Sequence, residues 1–307
     1  MGKSTREAYG EALALLGKEN EKLVVLDADL SGSTKTGTFK KAFPDRFFNF
    51  GIAEADMICA AASFAFSGYV PFASTFAVFG TGRAYEQIRN TVAYTGANVK
   101  LAFTHAGLSV GEDGGSHQSL EDISLMRVLP GMTVFCPCDA AETFKVVKAA
   151  AEIDGPVYIR LSRPGTDDVT GDSTPFVPGK AVVLRDGSDA AIFATGLMVT
   201  RALKAADILA AEGISAAVVD VHTIKPLDEE CILSYNGKVR AIVTAEEHFI
   251  TGGLGSAVAE VIAGKGGAKF DRVGVEDKFG QSGAPSVLFE KYGLTAENIA
   301  AKVRALL

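Results

Sequence analysis

The feature that most constrains this chain is the alternation of short apolar, β-rich runs with helical stretches, carried through twice. The first series is Leu23–Asp29, Tyr69–Ser74, Val99–His105, Met132–Pro137 and Val157–Leu161. Such runs with helices between them are the pattern of a parallel sheet covered on both faces. Two helix starts are legible as well: Ser4 with Glu7 is a capping box, and Asp139 with Glu142 is its acidic analogue.

From Gly165 to Lys180 the chain reads GTDDVTGDSTPFVPGK, which has neither helical nor strand period and marks a linker. A second series follows in Ala190–Thr195, Ala216–Val221, Val239–Ala245 and Arg272–Val275, with helices from about Thr200, Gly255, Ala284 and Thr295. The expected fold class is α/β, with two tandem domains, each a mostly parallel sheet flanked by helices. The boundaries are 1–165, a linker over 166–185, and 186–307, and a length of 307 residues suits two domains.

Charge narrows the partners. The net charge is -7 and no window is dense in Lys or Arg, so neither nucleic acid nor an anionic membrane is an expected partner. Met57–Gly82 lacks Asp, Glu, Lys, Arg and His, but Ser63, Ser67, Gly68, Pro71, Ser74 and Thr75 interrupt it. It reads as a buried helix, a turn and a buried strand rather than a membrane span. Four cysteines and an opening Met-Gly-Lys-Ser without an apolar signal fit an unexported, cytoplasmic protein.

The generic motifs are weak. Gly252-Gly253-Leu254-Gly255 lacks the full dinucleotide fingerprint and reads as a tight strand-to-helix turn. Cys136 and Cys138 have no second pair at metal spacing and read as buried thiols, so no metal ligand is expected. Gly-x-Ser-x-Gly and P-loop motifs are absent.

More specific is the loop from Thr104 to Gln118, which holds two of the chain's four histidines, His105 and His117, beside Glu112 and Asp113. It follows the carboxyl end of an expected strand, where open parallel sheets place their ligands. Glu54 is the second focus: it opens the longest uncharged stretch, whose apolar surroundings would desolvate the carboxylate and let it share a proton with a ligand nitrogen. A helix-start glutamate favoured by the macrodipole is the bland reading. Phe76 and Phe79 suit either core packing or stacking on a flat heterocycle.

Five segments in this order, NFGIAEADM, ASTFAVFGTGRAYEQIRN, THAGLSVGEDGGSHQSLEDIS, YIRLSRPG and TAEEHFITGGLGSAVAE, resemble the transketolase family, in its pyrimidine-binding and C-terminal domains. The resemblance implies that Glu54 contacts N1' of a thiamine aminopyrimidine as the proton-relaying acid and that Phe76 and Phe79 pack against that ring. It implies that Asp113 and His117 face sugar hydroxyls, and that Arg6, Ser33, His105 and Arg163 grip a sugar phosphate. Gly82 replaces a third aromatic of the ring pocket found in many transketolases and is followed by Arg83, as in deoxyxylulose phosphate synthases, which places Arg83 at the cofactor. His105 and His117, as ordinary imidazoles, are expected proton shuttles.

Full-length members of that family also carry a diphosphate domain with a Gly-Asp-Gly motif, which this sequence lacks. The resemblance therefore implies the C-terminal subunit of a split transketolase that moves a two-carbon ketol unit from a ketose phosphate to an aldose. Thiamine diphosphate and Mg²⁺ (or Ca²⁺) would be held mainly by an N-terminal transketolase subunit, in an α2β2 heterotetramer. The alternatives are the β subunit of a 2-oxo acid dehydrogenase, disfavoured by GEDGGSHQ and Arg163, and a non-catalytic partner subunit.

Overall fold

The apolar runs become strands where the pattern places them, and several end early, where the backbone turns into a loop. In the computed structural model, which describes residues 2–307, the first domain contributes β1 (Leu23–Asp27), β2 (Phe47–Asn49), β3 (Val70–Ser74), β4 (Lys100–Phe103), β5 (Thr133–Phe135) and β6 (Val157–Arg160). The second contributes β7 (Val182–Arg185), β8 (Ala190–Ala194), β9 (Ala216–Asp220), β10 (Thr223–Lys225), β11 (Ala241–Phe249) and β12 (Lys269–Val275). The sheets run β10-β5-β6-β4-β3-β1-β2 and β12-β11-β8-β9-β7. All neighbours are parallel except β10 with β5 and β7 with β9.

Burial on both faces explains the unbroken apolar strands. One face of the first sheet packs Val25, Phe72 and Ile159 under the helices Thr5–Glu19 and Ala140–Glu152, through Tyr9, Leu13, Val146 and Val147. Its other face shares a core with the second domain, joining Leu26, Leu101 and Phe103 to Phe193, Val219 and Ile224. Both expected helix starts form: the Ser4 side chain and the Glu7 carboxylate cap each other's backbone N–H groups, and Asp139 accepts the Glu142 N–H at 2.9 Å.

The segment 166–185 departs from the expected linker. Its last residues are β7, paired antiparallel with β9. Upstream, the Asp139 carboxylate accepts the N–H groups of Val169 and Thr170 at 2.8 and 2.5 Å, and Phe176 packs on the His222 ring at 4.4 Å between centroids. Lone pairs left over from a helix cap thus tie the segment to the first domain. β10 was not expected either; it carries the chain of the second domain onto the edge of the first sheet. Among the described residues, no helix is long and apolar enough to cross a membrane.

Candidate functional site

The carboxyl ends of β1, β3, β4 and β6 lie side by side in the first sheet, and the loops leaving them meet in one crevice. At the end of β1, the buried Asp27 carboxylate accepts from the Leu30 N–H at 2.6 Å and from the Thr34 and Thr36 hydroxyls at 2.7 and 2.8 Å. Burial pushes its pKa up, while these donors oppose the shift. The resulting turn fixes Ser33, whose carbonyl accepts from Arg6 Nη1 at 2.9 Å. Beyond β4, the strand breaks at His105, in the left-handed region at φ 58°, and the chain enters the loop to Gln118.

A continuous series of contacts joins the expected residues. Arg83 Nη1 lies 3.2 Å from Glu54 Oε1, and the Arg83 guanidinium covers the Phe79 ring at 4.3 Å. Phe79 stacks near-parallel with Phe76, centroids 5.7 Å apart, and Phe76 stacks on His105 at 3.8 Å. Arg6 spans the next gap, with Nη1 3.4 Å from His105 Nε2 and Nε donating to the Arg163 carbonyl at 3.1 Å. The Arg163 guanidinium lies 3.6 Å from Asp113, and His117 presents its ring edge-on to Phe79 at 5.3 Å.

Three features differ from the sequence-based expectations. Glu54, 4% exposed at the start of the helix Glu54–Phe66, has Arg83 as a charge partner instead of purely apolar surroundings. Arg163, expected to grip an anion, is paired within the chain instead: Glu112 lies 3.4 Å and Asp113 3.6 Å from its guanidinium, both on the loop after β4. His105 is not an ordinary imidazole. Burial first, then the positive charges of Arg6 and Arg163, push its pKa down to about 3. Because arginine has only donors, Nε2 accepts, and the neutral ring donates from Nδ1 to Thr104 Oγ1 at 2.8 Å.

At Gly82 a Cβ would meet nothing within 4 Å, so that wall of the aromatic pocket is open. The Gly252–Gly255 turn is a tight connection: Glu246 accepts the N–H groups of Leu254 and Gly255, both at 2.7 Å, and so occupies the helix start that a phosphate would need. Cys136 and Cys138 are buried free thiols, each with its pKa raised by desolvation. Sequence reasoning missed Asp27 and Glu247, which shape the loops without belonging to them; an acid ending an otherwise apolar strand was the available signal for the first.

The fold can now be set beside known proteins. Residues 1–167 match the model of the transketolase pyrimidine-binding domain, and 179–299 match the transketolase C-terminal domain. A Methanocaldococcus jannaschii protein provisionally named as a transketolase C-terminal section is 51% identical, over 98% of this chain and 95% of its own length. Human transketolase is 40% identical, over 99% of this chain and 49% of its own length. A solved split-gene transketolase, described as an inactive β4 tetramer, superposes with a TM-score of 0.92 at 53% identity, covering 100% of this chain and 99% of that one. On the two matched domains and the extent of these relatives, the chain belongs to the transketolase family.

Proposed function

We propose that this chain is the C-terminal subunit of a split, thiamine diphosphate-dependent transketolase that transfers a two-carbon ketol unit from a ketose phosphate to an aldose. The observation that carries the reading is the contact series from Glu54 to Asp113. It joins a buried carboxylate and an aromatic pair to an anion-attracting pocket in one crevice. The conserved extent of the relatives supports it: the M. jannaschii protein and the split-gene structure have nearly the same length as this chain.

The residues fit half of the cofactor site. Phe76 and Phe79 offer a flat apolar wall beside the open position at Gly82, and Glu54 offers a buried oxygen for a ring nitrogen. When bound, thiamine diphosphate supplies a nucleophilic carbon able to carry the ketol unit. Glu54 holds the proton exchanged at N1', and Arg83 orients the carboxylate from the solvent side. Arg6, Ser33, His105 and Arg163 bind the terminal phosphate, with the Arg163 fork released from Glu112 and Asp113 as the dianion arrives. Asp113 and His117 orient the sugar hydroxyls.

The chain works with an N-terminal subunit that holds the diphosphate and Mg²⁺, in an α2β2 assembly. The described split-gene structure is inactive as a β4 tetramer, which supports partner dependence. Mixing this chain with a candidate N-terminal subunit tests the proposal by ketol transfer and thiamine diphosphate binding. Activity confined to the mixture is expected; transfer by this chain alone contradicts the dependence, and turnover of a 2-oxo acid instead contradicts the reaction.

A further inference from the structure

The loop that carries His105, Asp113 and His117 springs from the first domain, yet the second domain holds it. Glu247 in β11 accepts the Ser109 N–H on Oε1 at 2.6 Å. Gly107 has φ +83° and lies so close to that carboxylate that a Cβ would stand 2.3 Å from it. Only a residue without a side chain allows this approach in this backbone conformation. Farther along, the Ser282 hydroxyl donates to the Glu112 carbonyl at 2.6 Å, and Gln118 Nε2 donates to the Gln281 carbonyl at 3.0 Å.

These anchors bracket the residues that face the crevice: Asp113 and His117 lie between the holds at 112 and 118. Glu247 is itself fixed from the first domain, because its carbonyl accepts from Arg160 Nη2 at 2.8 Å. Arg160 in turn grips Asp122 through two bonds, of 2.7 and 3.2 Å. Side chain and backbone of Glu247 thus pin loop and strand together, all in a buried setting where a lost acceptor is costly.

We propose that Glu247 is a positioning residue through which the second domain sets the geometry of the substrate loop. What the loop binds rests on the function proposed above, whereas the clamp rests on the contacts themselves. Glu54, Phe76 and Phe79 belong to other segments and meet the loop only through the rings of His105 and His117, so the clamp acts on the sugar side of the crevice more than on the cofactor side.

The test uses Glu247→Leu, which fills the space without an acceptor, and Glu247→Gln, which keeps one, each in the assembled complex. Amide exchange in the loop and kinetics are read together. For Glu247→Leu, exchange at Ser109 and its neighbours should quicken about tenfold, and kcat/KM for sugar phosphates should fall about tenfold or more. Thiamine diphosphate affinity should fall much less than kcat/KM, and Glu247→Gln should stay within a fewfold of wild type. Unchanged exchange in the Leu variant overturns the clamp, as does equal damage from Gln. Faster exchange with unchanged kinetics, or an equal loss of cofactor affinity, overturns the positioning role. Should the Leu variant not fold, Gly107→Ala, whose Cβ would displace the Glu247 carboxylate, takes its place, and the same readouts decide. A wild-type complex without ketol transfer would refute the reaction, while the exchange result would still judge the clamp.

Discussion

The imidazole of His105 lies flat on the ring of Phe76, centroids 3.8 Å apart and planes 20° from parallel. The stack buries the ring among Arg6 and Arg163, and an imidazolium there would be both desolvated and repelled. A pKa pushed down to about 3 makes His105 a neutral hydrogen-bonding group across physiological pH. A bound anion would reverse part of that repulsion and raise the value. Titration of the imidazole resonances should show His105 uncharged at about pH 5 in the free protein and shifted upward by inorganic phosphate. An ordinary titration unaffected by phosphate would contradict this.

Arg163 shares its guanidinium with Glu112 and Asp113, and these pairs are partly solvent-screened at 34%, 64% and 41% side-chain exposure. Exposed pairs contribute little, so an incoming phosphate can outcompete them. Arg163→Ala should raise KM for phosphorylated acceptors about tenfold or more, and much less for unphosphorylated ones. Glu112→Gln should lower KM for phosphorylated acceptors. Equal losses for both acceptor types in the Arg163 variant would refute the phosphate role.

A buried acid pair at the domain junction makes stability depend on pH. Cys138, Glu142 and Asp220 each bring a ligand atom within 4.8 Å of the others, and neither Asp220 oxygen has a hydrogen-bond partner among the described residues. Burial, then the neighbouring carboxylate, raises Asp220 well above the carboxylate range, and burial lifts Glu142 to about 7, with Asp139 adding to both. For an acid raised in the folded state the neutral form is favoured. The stabilisation is therefore present at low pH and is lost as pH rises through about 7. Asp220→Asn should thus gain in Tm relative to wild type as pH rises from about 6 to about 8. Comparing the two proteins cancels Lys100 and His222, present in both, whose pKa values burial pushes down to about 7 and about 4. A constant or shrinking difference would contradict a neutral Asp220 in the folded protein.

Nine of the twelve described strands, in their order of appearance, were legible as apolar runs, whereas the three-residue β2 (Phe47–Asn49) was not, being too short to show a pattern. The loop residues were legible from composition: a glycine-rich connection holding His105, Glu112, Asp113 and His117 is an unusual sequence at a strand end. What escaped are relations between segments distant in sequence. β10 pairs with β5 through a contact that no local pattern encodes, and β7 looked like linker because Val182–Arg185 is short and lies at a sheet edge. The neutral state of His105 comes from burial first and then from Arg6 and Arg163, 99 and 58 positions away in sequence, so its surroundings could not be read from its neighbours.

The most direct measurement is ketol transfer by the complex with its N-terminal subunit, wild type against Glu54→Gln. The amide keeps the shape of the side chain but cannot relay a proton to a ring nitrogen, and it gives up the charge facing Arg83. Transfer from a ketose phosphate by the wild-type complex is expected, with a loss of about 100- to 10,000-fold in the variant while the subunits still assemble. A variant rate within a fewfold of wild type, or a correctly assembled wild-type complex with no ketol transfer, would contradict the account.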